Sequence, residues 1–377
     1  MSLGGRLKRG GSARPENSYL ANSHFKAGPG TTKSDPVTET LSSAPSLARV
    51  ANDLTRDLMR PNPAIYWLDL IATAAVTYAS LWVAATAHSL AGALIAGAVC
   101  VLALYRGVSF IHELTHQRRD ELPGFHFGWN LLIGAPFLTP SLLYEGVHML
   151  HHAKDRYGTV RDPEYMPLAH LPLSSLAGFI LIALLAPLGV ILRFAVLAPI
   201  GFLVPPVRRF AVAKASAMTI NPKFSREDFD RAARAPWLAQ EIACWLWSWT
   251  VIGLTLAGVI PLRAVVTAVA IYAVFAFVNQ LRTAVAHYWE NEGERMSFEG
   301  QFLDSVNVPP PAVLPFLWAP VGLRYHALHH LLPRMPYHNL GAAHARMVAH
   351  VAPDSPYRRV EEPELVPALA KLAKRTL

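Results

Sequence analysis

The chain has 377 residues, of which 52% are hydrophobic and only 16% are charged. Soluble domains carry about a quarter of charged residues, so this composition indicates a membrane protein. Lysine and arginine exceed aspartate and glutamate by eight, but the basic residues flank apolar runs. That placement is typical of the cytoplasmic loops of a membrane protein and not of a surface that binds nucleic acid. The sequence therefore predicts a membrane environment and no nucleic-acid partner.

The amino-terminal region differs from the rest of the chain. Residues 1–44 are rich in Ser, Gly, Pro, Asn and Lys without an apolar period, which predicts a disordered tail. No apolar stretch follows Met1, so no secretory signal peptide is predicted. From Ser46 to Met59, apolar residues recur at helical spacing beside arginines. This pattern favours a short helix lying on the cytoplasmic membrane surface, and a frayed linker is the alternative.

Two pairs of apolar segments are long enough to cross a bilayer as helices. The predicted spans are Ile65–Ala85, Leu90–Val108, Trp237–Ile260 and Val265–Leu281. The second of these patterns continues without a breaker to His116. A helix from Leu90 to His116 would be about 40 Å long, whereas the hydrocarbon core is about 30 Å thick. Its carboxyl end should therefore emerge on the cytoplasmic side.

The stretch from Leu173 to Val204 is also long and apolar, but it is interrupted by Pro187, Gly189, Arg193 and Pro199. It is compatible with one span, with two half-spans, or with helices lying in the interface. A single crossing would place the histidine motifs before and after it on opposite sides of the membrane. We therefore predict no net crossing.

These segments together predict an all-α integral membrane fold. It contains two transmembrane helical hairpins, giving four spans, and a cytoplasmic helical cap that carries the histidine motifs. Residues 45–350 are expected to form this membrane domain, and residues 351–377 a cytoplasmic carboxyl-terminal tail.

Eight of the 16 histidines fall in three short boxes: His112 and His116; His148, His151 and His152; His326, His329 and His330. On a helix, residues three or four positions apart lie on one face. Imidazole is the commonest nitrogen ligand of transition metals, so each box suits metal coordination. Eight histidines are too many for one mononuclear site, and the pattern favours two metal ions.

Two further histidines are harder to assign. His287 lies where the last predicted span leaves the membrane, the place that His116 occupies after the second span. We interpret His287 as a ninth ligand, with an interfacial histidine beside Tyr288 and Trp289 as the alternative. His338 is compatible with a supporting role near the metals or with a simple turn. The remaining histidines are expected to be structural or solvated: His24, His88, His126, His170, His344 and His350.

The identity of the metal is not determined by spacing, because sites made of imidazole nitrogens accept zinc, copper and iron. Cys100 and Cys244 both lie in apolar runs without a C-x-x-C motif, so no thiolate site is indicated. Acidic residues near the boxes are candidates for hydrogen bonds that orient the histidines, with Asp162 and Asp304 ranked first. The other candidates are Glu113, Glu145, Asp155, Glu164 and Glu290.

The order and spacing of the three boxes resemble the membrane fatty acid desaturase superfamily. The stretches Tyr157–Tyr165, Arg282–His287 and Gly322–Leu340 are similar to its bacterial members, and the resemblance covers roughly residues 55–350. It implies two iron ions, activation of O2 and oxidation of an acyl chain in a bacterial inner membrane, with the boxes on the cytoplasmic side. The implied iron ligands are His112, His116, His148, His151, His152, His287, His326, His329 and His330.

The resemblance favours desaturation of a lipid acyl chain. Carotenoid or lipid hydroxylases and ketolases, which use similar boxes, are the enzymatic alternative. No haem motif of the cytochrome b5 type occurs in the chain, so the electrons are expected to come from a separate donor, ferredoxin-like or similar. A metal transporter or metal-binding membrane protein is the non-enzymatic alternative. Its ligands should lie near mid-membrane on broken spans, whereas these histidines fall where the spans end.

Overall fold

The computed structural model describes residues 46–376, so the tail predicted for residues 1–44 lies outside the described region. Within residues 46–376 there is no β-strand, and isolated β-bridges alone join extended segments. The prediction of an all-α fold is confirmed for this part of the chain. The α-helices up to residue 256 are α1 Leu47–Thr55, α2 Pro63–Thr86, α3 Leu90–His116, α4 Phe125–Trp129, α5 His148–His151, α6 Leu173–Leu181, α7 Ala186–Ile191, α8 Ala198–Leu203, α9 Pro205–Ala215, α10 Phe229–Ala232 and α11 Ala235–Leu256. They are followed by α12 Leu262–Ala284, α13 Phe298–Asp304, α14 Pro315–Trp318, α15 His326–Leu331, α16 Leu340–His350 and α17 Leu365–Arg375.

Four helices in the described region are long and apolar enough to span a membrane. They are α2, α3, α12 and a composite helix, Leu173–Leu203, in which α6, α7 and α8 are joined by 3-10 and π turns. Their number agrees with the prediction of four, but the set differs, because the composite helix is among them and the predicted span Trp237–Ile260 is not. Helix α11 has 22 residues and corresponds to the predicted span Trp237–Ile260. Gln240 and Glu241 lie in its second turn, and it is not among the four.

Local signals explain where the first hairpin begins and ends. The Asn62 side chain accepts a hydrogen bond from the Ala64 amide at 3.0 Å, and Pro63 occupies the first helical position of α2. The Ser89 hydroxyl caps α3 by accepting from the Gly92 amide at 3.1 Å. Helix α3 then runs 27 residues without a break. The first histidine box therefore occupies its last turns, as the sequence predicts.

The composite helix begins and ends near the side of the bundle that carries the histidines. Near its start, the Phe179 ring lies 6.3 Å from the ring of Trp289, two residues after His287. Nearer its end, Arg193 forms an ion pair at 2.5 Å with Glu241, which lies in the second turn of α11. The turn before α12 lies at the other end of the bundle, because Arg263 donates to the Ala87 carbonyl at 2.5 Å. These contacts agree with the prediction of no net crossing between residues 173 and 204.

Helix α1 is packed differently from the prediction. The sequence favours a helix lying on the membrane surface, but Ala51 is fully buried in a cluster with Phe302 and Met347. Asp57, just beyond α1, also pairs with Arg346 of α16 at 2.6 Å. The apolar face of this short amphipathic helix is therefore covered by protein, because the cap offers an apolar surface of its own.

The carboxyl-terminal region packs against the same body. Leu372 of α17 belongs to a buried cluster that includes Tyr157, Tyr165 and Trp289. The backbone amide of Asn307 also donates to the Val360 carbonyl at 2.8 Å. The packing of the cap thus extends past residue 350, the position at which the tail was expected to begin.

Replacing Glu241 with alanine is expected to destabilise the fold strongly. Glu241 is fully buried and pairs with both Arg193 and Arg208, so the substitution leaves buried guanidinium charge without its partner. Breaking a buried pair on one side costs about 3–5 kcal/mol of unfolding free energy. Chemical unfolding in detergent micelles measures this change. The control is Asp53→Ala, which removes a solvent-exposed partner of Arg56 and should have little effect. Equal losses in the two variants would contradict the prediction.

Candidate metal centre

The structure brings all nine predicted histidines together, although they come from four separate parts of the chain. His112 and His116 lie in the last turns of α3, and His287 follows the end of α12. The second and third boxes form the short helices α5 and α15. Gly322 allows the sharp turn before α15, since its φ is +73° and an added Cβ would lie 2.6 Å from Leu340 Cδ1.

The nine histidines are divided into two buried groups. In each group, one ring nitrogen of every member lies within 4.8 Å of those of the others. The five-histidine group contains His112, His116, His148, His152 and His329. The four-histidine group contains His151, His287, His326 and His330. The histidines expected to be structural that lie in the described region belong to neither group.

Each H-x-x-H-H box contributes to both groups. The first and last histidines of a box join the same group, while the middle one joins the other. Helical geometry explains this division, because residues four apart are rotated by about 40° and residues three apart by about 60° in the opposite sense. The two boxes therefore lie between the two groups and hold them side by side.

The distances between ring nitrogens test whether the histidines fit a metal. The Nε2 atom of His152 lies 3.0 Å from that of His148 and 3.1 Å from that of His329. The Nε2 atom of His326 lies 3.0 Å from that of His287 and 3.3 Å from that of His330. Imidazole nitrogens lie about 2.1 Å from a first-row metal, so two of them at right angles are about 3 Å apart. The spacing therefore suits two metal ions.

Several ring nitrogens have no other partner within residues 46–376. His112 has both nitrogens buried and without a hydrogen bond, and His116 has one. Buried polar atoms in native proteins almost always have a partner, so such a cluster needs an explanation. Because a neutral imidazole has only one N–H, hydrogen bonds among the rings cannot satisfy several nitrogens that converge on one point. A cation at each convergence point would satisfy them together.

Burial favours the metal-binding form of these rings. It lowers the pKa of His148, His152, His329 and His330 well below the ordinary value, and repulsion from neighbouring histidines lowers it further. The rings are therefore neutral near pH 7, with a lone pair free to bind a metal.

His151 is oriented by the fully buried carboxylate of Asp162. The His151 Nδ1 atom lies 2.9 Å from Asp162 Oδ2, which leaves Nε2 directed at the four-histidine group. Burial alone would lower the pKa of His151, but the charge and hydrogen bond of Asp162 raise it above the ordinary value. Asp162 is itself held by the backbone amides of Gly158 and Glu164, at 2.9 and 2.8 Å. A carboxylate that fixes the outer nitrogen of a ligating histidine is a recurrent feature of metal sites.

His148 and His287 are held by tyrosine–carboxylate pairs. His148 Nδ1 lies 2.8 Å from the Tyr144 hydroxyl and 2.9 Å from Glu164, whose other oxygen accepts from Tyr144. His287 Nδ1 lies 2.9 Å from the Tyr157 hydroxyl, which donates to Asp304 at 2.8 Å. Burial raises the pKa of Glu164 to about 7. Both arrangements fix the orientation of an imidazole ring.

Three of the predicted carboxylates therefore orient histidines: Asp162, Glu164 and Asp304. Asp304 acts through the Tyr157 hydroxyl. Glu113 lies 3.8 Å from His112, too far for a hydrogen bond, and accepts instead from Tyr66. Glu145 contacts His126 at 2.5 Å, away from both histidine groups. Asp155 is exposed, and Glu290 pairs with Arg375 at the surface.

The sequence analysis did not identify the tyrosines and the serine that contact the histidines. Tyr144 precedes His148 by four residues, a spacing that could have indicated a contact on one helical turn. Tyr157 and Ser305 carry no local signal, because each reaches His287 from a distant part of the chain. His338 lies outside both groups and accepts a hydrogen bond from the Asn62 amide at 3.1 Å. Its role is to hold the start of α2.

A cavity of about 670 Å³ reaches the histidines from within the helical bundle. Its wall is formed by α3, α12, the composite helix and cap residues. Five of the nine histidines line it: His112, His148, His151, His287 and His326. The volume lies in the range typical of sites for small organic ligands. A lipid chain in this cavity would therefore lie next to both histidine groups.

These features define a membrane-embedded protein whose buried histidines suit a metal site. Residues 86–362 match the fatty acid desaturase family, and the chain belongs to this family. It is also 59% identical over 330 residues to a ceramide hydroxylase of Caulobacter vibrioides (strain NA1000 / CB15N). That alignment covers 88% of this chain and 94% of the relative.

The comparisons refine the activity expected from the sequence. They place the chain among oxidoreductases that act on lipids. Desaturation was the favoured reaction, but the relative is named a hydroxylase. The desaturase prediction is therefore not confirmed, and the relative agrees with the alternative of a lipid hydroxylase.

Proposed function

We propose that this chain is a membrane-bound, O2-dependent ceramide hydroxylase with two non-haem iron ions. The observation that carries the proposal is the 59% identity to a ceramide hydroxylase across nearly the whole of both chains. The two groups of converging, buried histidines support the metal content. The cavity beside them supports a lipid substrate.

The overall reaction converts R–H, O2, two electrons and two protons into R–OH and water. One C–H bond and the O–O bond break, while one C–O bond forms. The iron ions supply O2 activation and the oxidising power for an unactivated C–H bond. The two electrons come from a separate reduced donor protein, ferredoxin-like or similar. In this proposal the protein lies in a bacterial inner membrane with its histidines on the cytoplasmic side, where such a donor is found.

The protein's own groups perform the remaining tasks. The nine histidines would hold the two ions, five in one group and four in the other. Asp162, Glu164 and the Tyr157–Asp304 pair fix the ring orientations. The apolar cavity wall positions the lipid and excludes water from the reacting carbon.

The test is to express the protein, supplied with iron, in a bacterial host that makes ceramide. Mass spectrometry of the lipid extract should reveal ceramide that is one oxygen heavier, with the added oxygen derived from labelled O2. The double variant His329→Ala, His330→Ala serves as the control and should give no product. Ceramide that is two hydrogens lighter would establish a desaturase instead. Unchanged ceramide, with both irons bound and a competent donor present, would show that the substrate is a different lipid.

A further inference from the structure

The cavity beside the histidines has an apolar end and a polar end. Helices α3 and α12 both end at the histidines, so the position of a residue along either helix gives its depth at about 1.5 Å per residue. Tyr272, Phe275 and Ala276 of α12 lie deep, together with Ala183 and Ala186 of the composite helix. The polar side chains of α12 follow in its last two turns, immediately before His287: Asn279, Gln280, Arg282 and Thr283.

The hydroxyl groups at the deep end are already satisfied by the protein. Thr139 and Tyr272 share a hydrogen bond of 2.7 Å. The deep end therefore presents no spare polar group for a ligand and suits hydrocarbon.

The metal end differs because it carries a cationic side chain, Arg282, in the same cavity wall as the Glu164 carboxylate. Arg282 lines the cavity, and its hydrogen bond within residues 46–376 runs from Nη2 to the Leu323 carbonyl at 3.2 Å. It forms no salt bridge with any carboxylate in that range. A guanidinium group carries five N–H donors, so most of them are available to a ligand. The side-chain amides of Asn279 and Gln280 also form no hydrogen bond to other described residues.

The position of Arg282 ties these donors to the reacting centre. Leu323, which accepts from Arg282, lies three residues before His326, and both line the cavity. Arg282 also lies five residues before His287. Its free donors are therefore close to two members of the four-histidine group.

We infer that Arg282, assisted by Gln280, binds the polar part of the ceramide at the metal end of the cavity. This inference rests on the proposed function and specifies which part of the ceramide is hydroxylated. The guanidinium donates to the amide carbonyl and neighbouring hydroxyl oxygen of the lipid, while an alkyl chain fills the deep end. Because the polar anchor lies beside the histidines, the oxidised carbon is close to the amide and not in the middle or at the end of a chain. Arg282 is thus a positioning residue that selects both the lipid class and the site of oxidation.

The experiment measures product position and kinetics with the iron-loaded protein, ceramide and a reduced donor. Tandem mass spectrometry should place the new hydroxyl group near the amide. For Arg282→Gln, we expect KM to rise by about 10- to 100-fold, since a charge-assisted hydrogen bond is lost, and the product to spread over several positions. Arg282→Lys should restore part of the affinity. Gln280→Ala, which removes no hydrogen bond within the described protein, should raise KM by about 3- to 10-fold.

The matched control is Arg324→Gln, because Arg324 also donates to backbone carbonyls, those of Val308 and Ala312, but does not line the cavity. Its KM and product position should stay unchanged, and all variants should retain iron. Hydroxylation by the unaltered protein in mid-chain, or an unchanged KM in both cavity variants, would overturn the inference while leaving the proposed function intact. Equal turnover of free fatty acid would also overturn it, because a carboxylate would then be the anchored group. A protein that retains both irons but gives no hydroxylated ceramide would instead refute the proposed function.

Discussion

Replacing His330 with alanine is expected to lower the proposed lipid hydroxylation by at least about 100-fold and to release one of the two proposed metal ions. His330 is almost fully buried, and its Nε2 atom lies 3.3 Å from that of His326 in the four-histidine group. Removing it leaves this group three ligands. Since loss of a group that merely supports a ligand already costs about 10- to 100-fold, loss of the ligand itself should cost more. Elemental analysis of the purified variant and quantification of oxidised lipid measure the two effects.

The control for this prediction is His344→Ala. His344 is also buried but lies outside both groups, where its Nδ1 atom contacts the Tyr357 hydroxyl at 2.9 Å. This variant is expected to lose some stability while keeping two irons per chain and activity per folded molecule. A His330 variant that retained both irons and full activity would exclude the four-histidine group as a metal site.

The second large effect is expected from Asp162→Asn. The asparagine side chain has nearly the same shape, but one of its two acceptor oxygens is replaced by an NH2 donor. Gly158 and Glu164 donate to different oxygens of Asp162, so one of these backbone amides would face a donor. His151 would keep at most a neutral acceptor in place of a charged one. We expect metal affinity or activity to fall by about 10- to 100-fold. Iron competition with a chelator and turnover of lipid measure these changes.

Asp155→Asn provides a matched control, because Asp155 is an exposed residue seven positions away. It should leave iron binding and activity unchanged. The melting temperature of both variants should be recorded, since Asp162 also holds the Gly158–Glu164 loop. An Asp162 variant that only melted earlier, with unaltered iron affinity, would show that the carboxylate supports the loop and not the metal site.

Much of the candidate metal centre was predictable because its signals are local. The spacing of the histidines within each box is fixed by the sequence, and on a helix this spacing brings their side chains close together. The run from Leu90 to His116 contains no helix breaker, so the length of α3 and the position of the first box at its end followed directly. The nine histidines are the same set that the sequence analysis identified. Asp162 was likewise found through its proximity to the second box in the chain.

Other features depended on contacts between distant residues. Adjacent histidines such as His151 and His152 belong to different groups, because successive helical residues point about 100° apart and the partner rings come from elsewhere in the chain. Tyr157 reaches His287 across 130 residues. The composite helix, and not α11, is among the four helices long and apolar enough to span a membrane. Its Phe179 and Arg193 contact Trp289 and Glu241 on the histidine side of the bundle.

The sequence by itself therefore determined that this is an all-α membrane protein with three histidine boxes, because composition, helix length and short-range spacing are properties of neighbouring residues. The tertiary structure decided the division of the histidines into groups of five and four, since that depends on which rings converge from four parts of the chain. It also decided that α1 is covered by the cap and that Arg282 lines the cavity beside the histidines. Burial and the pairing of charges depend on which distant residues pack together, and no local pattern specifies them.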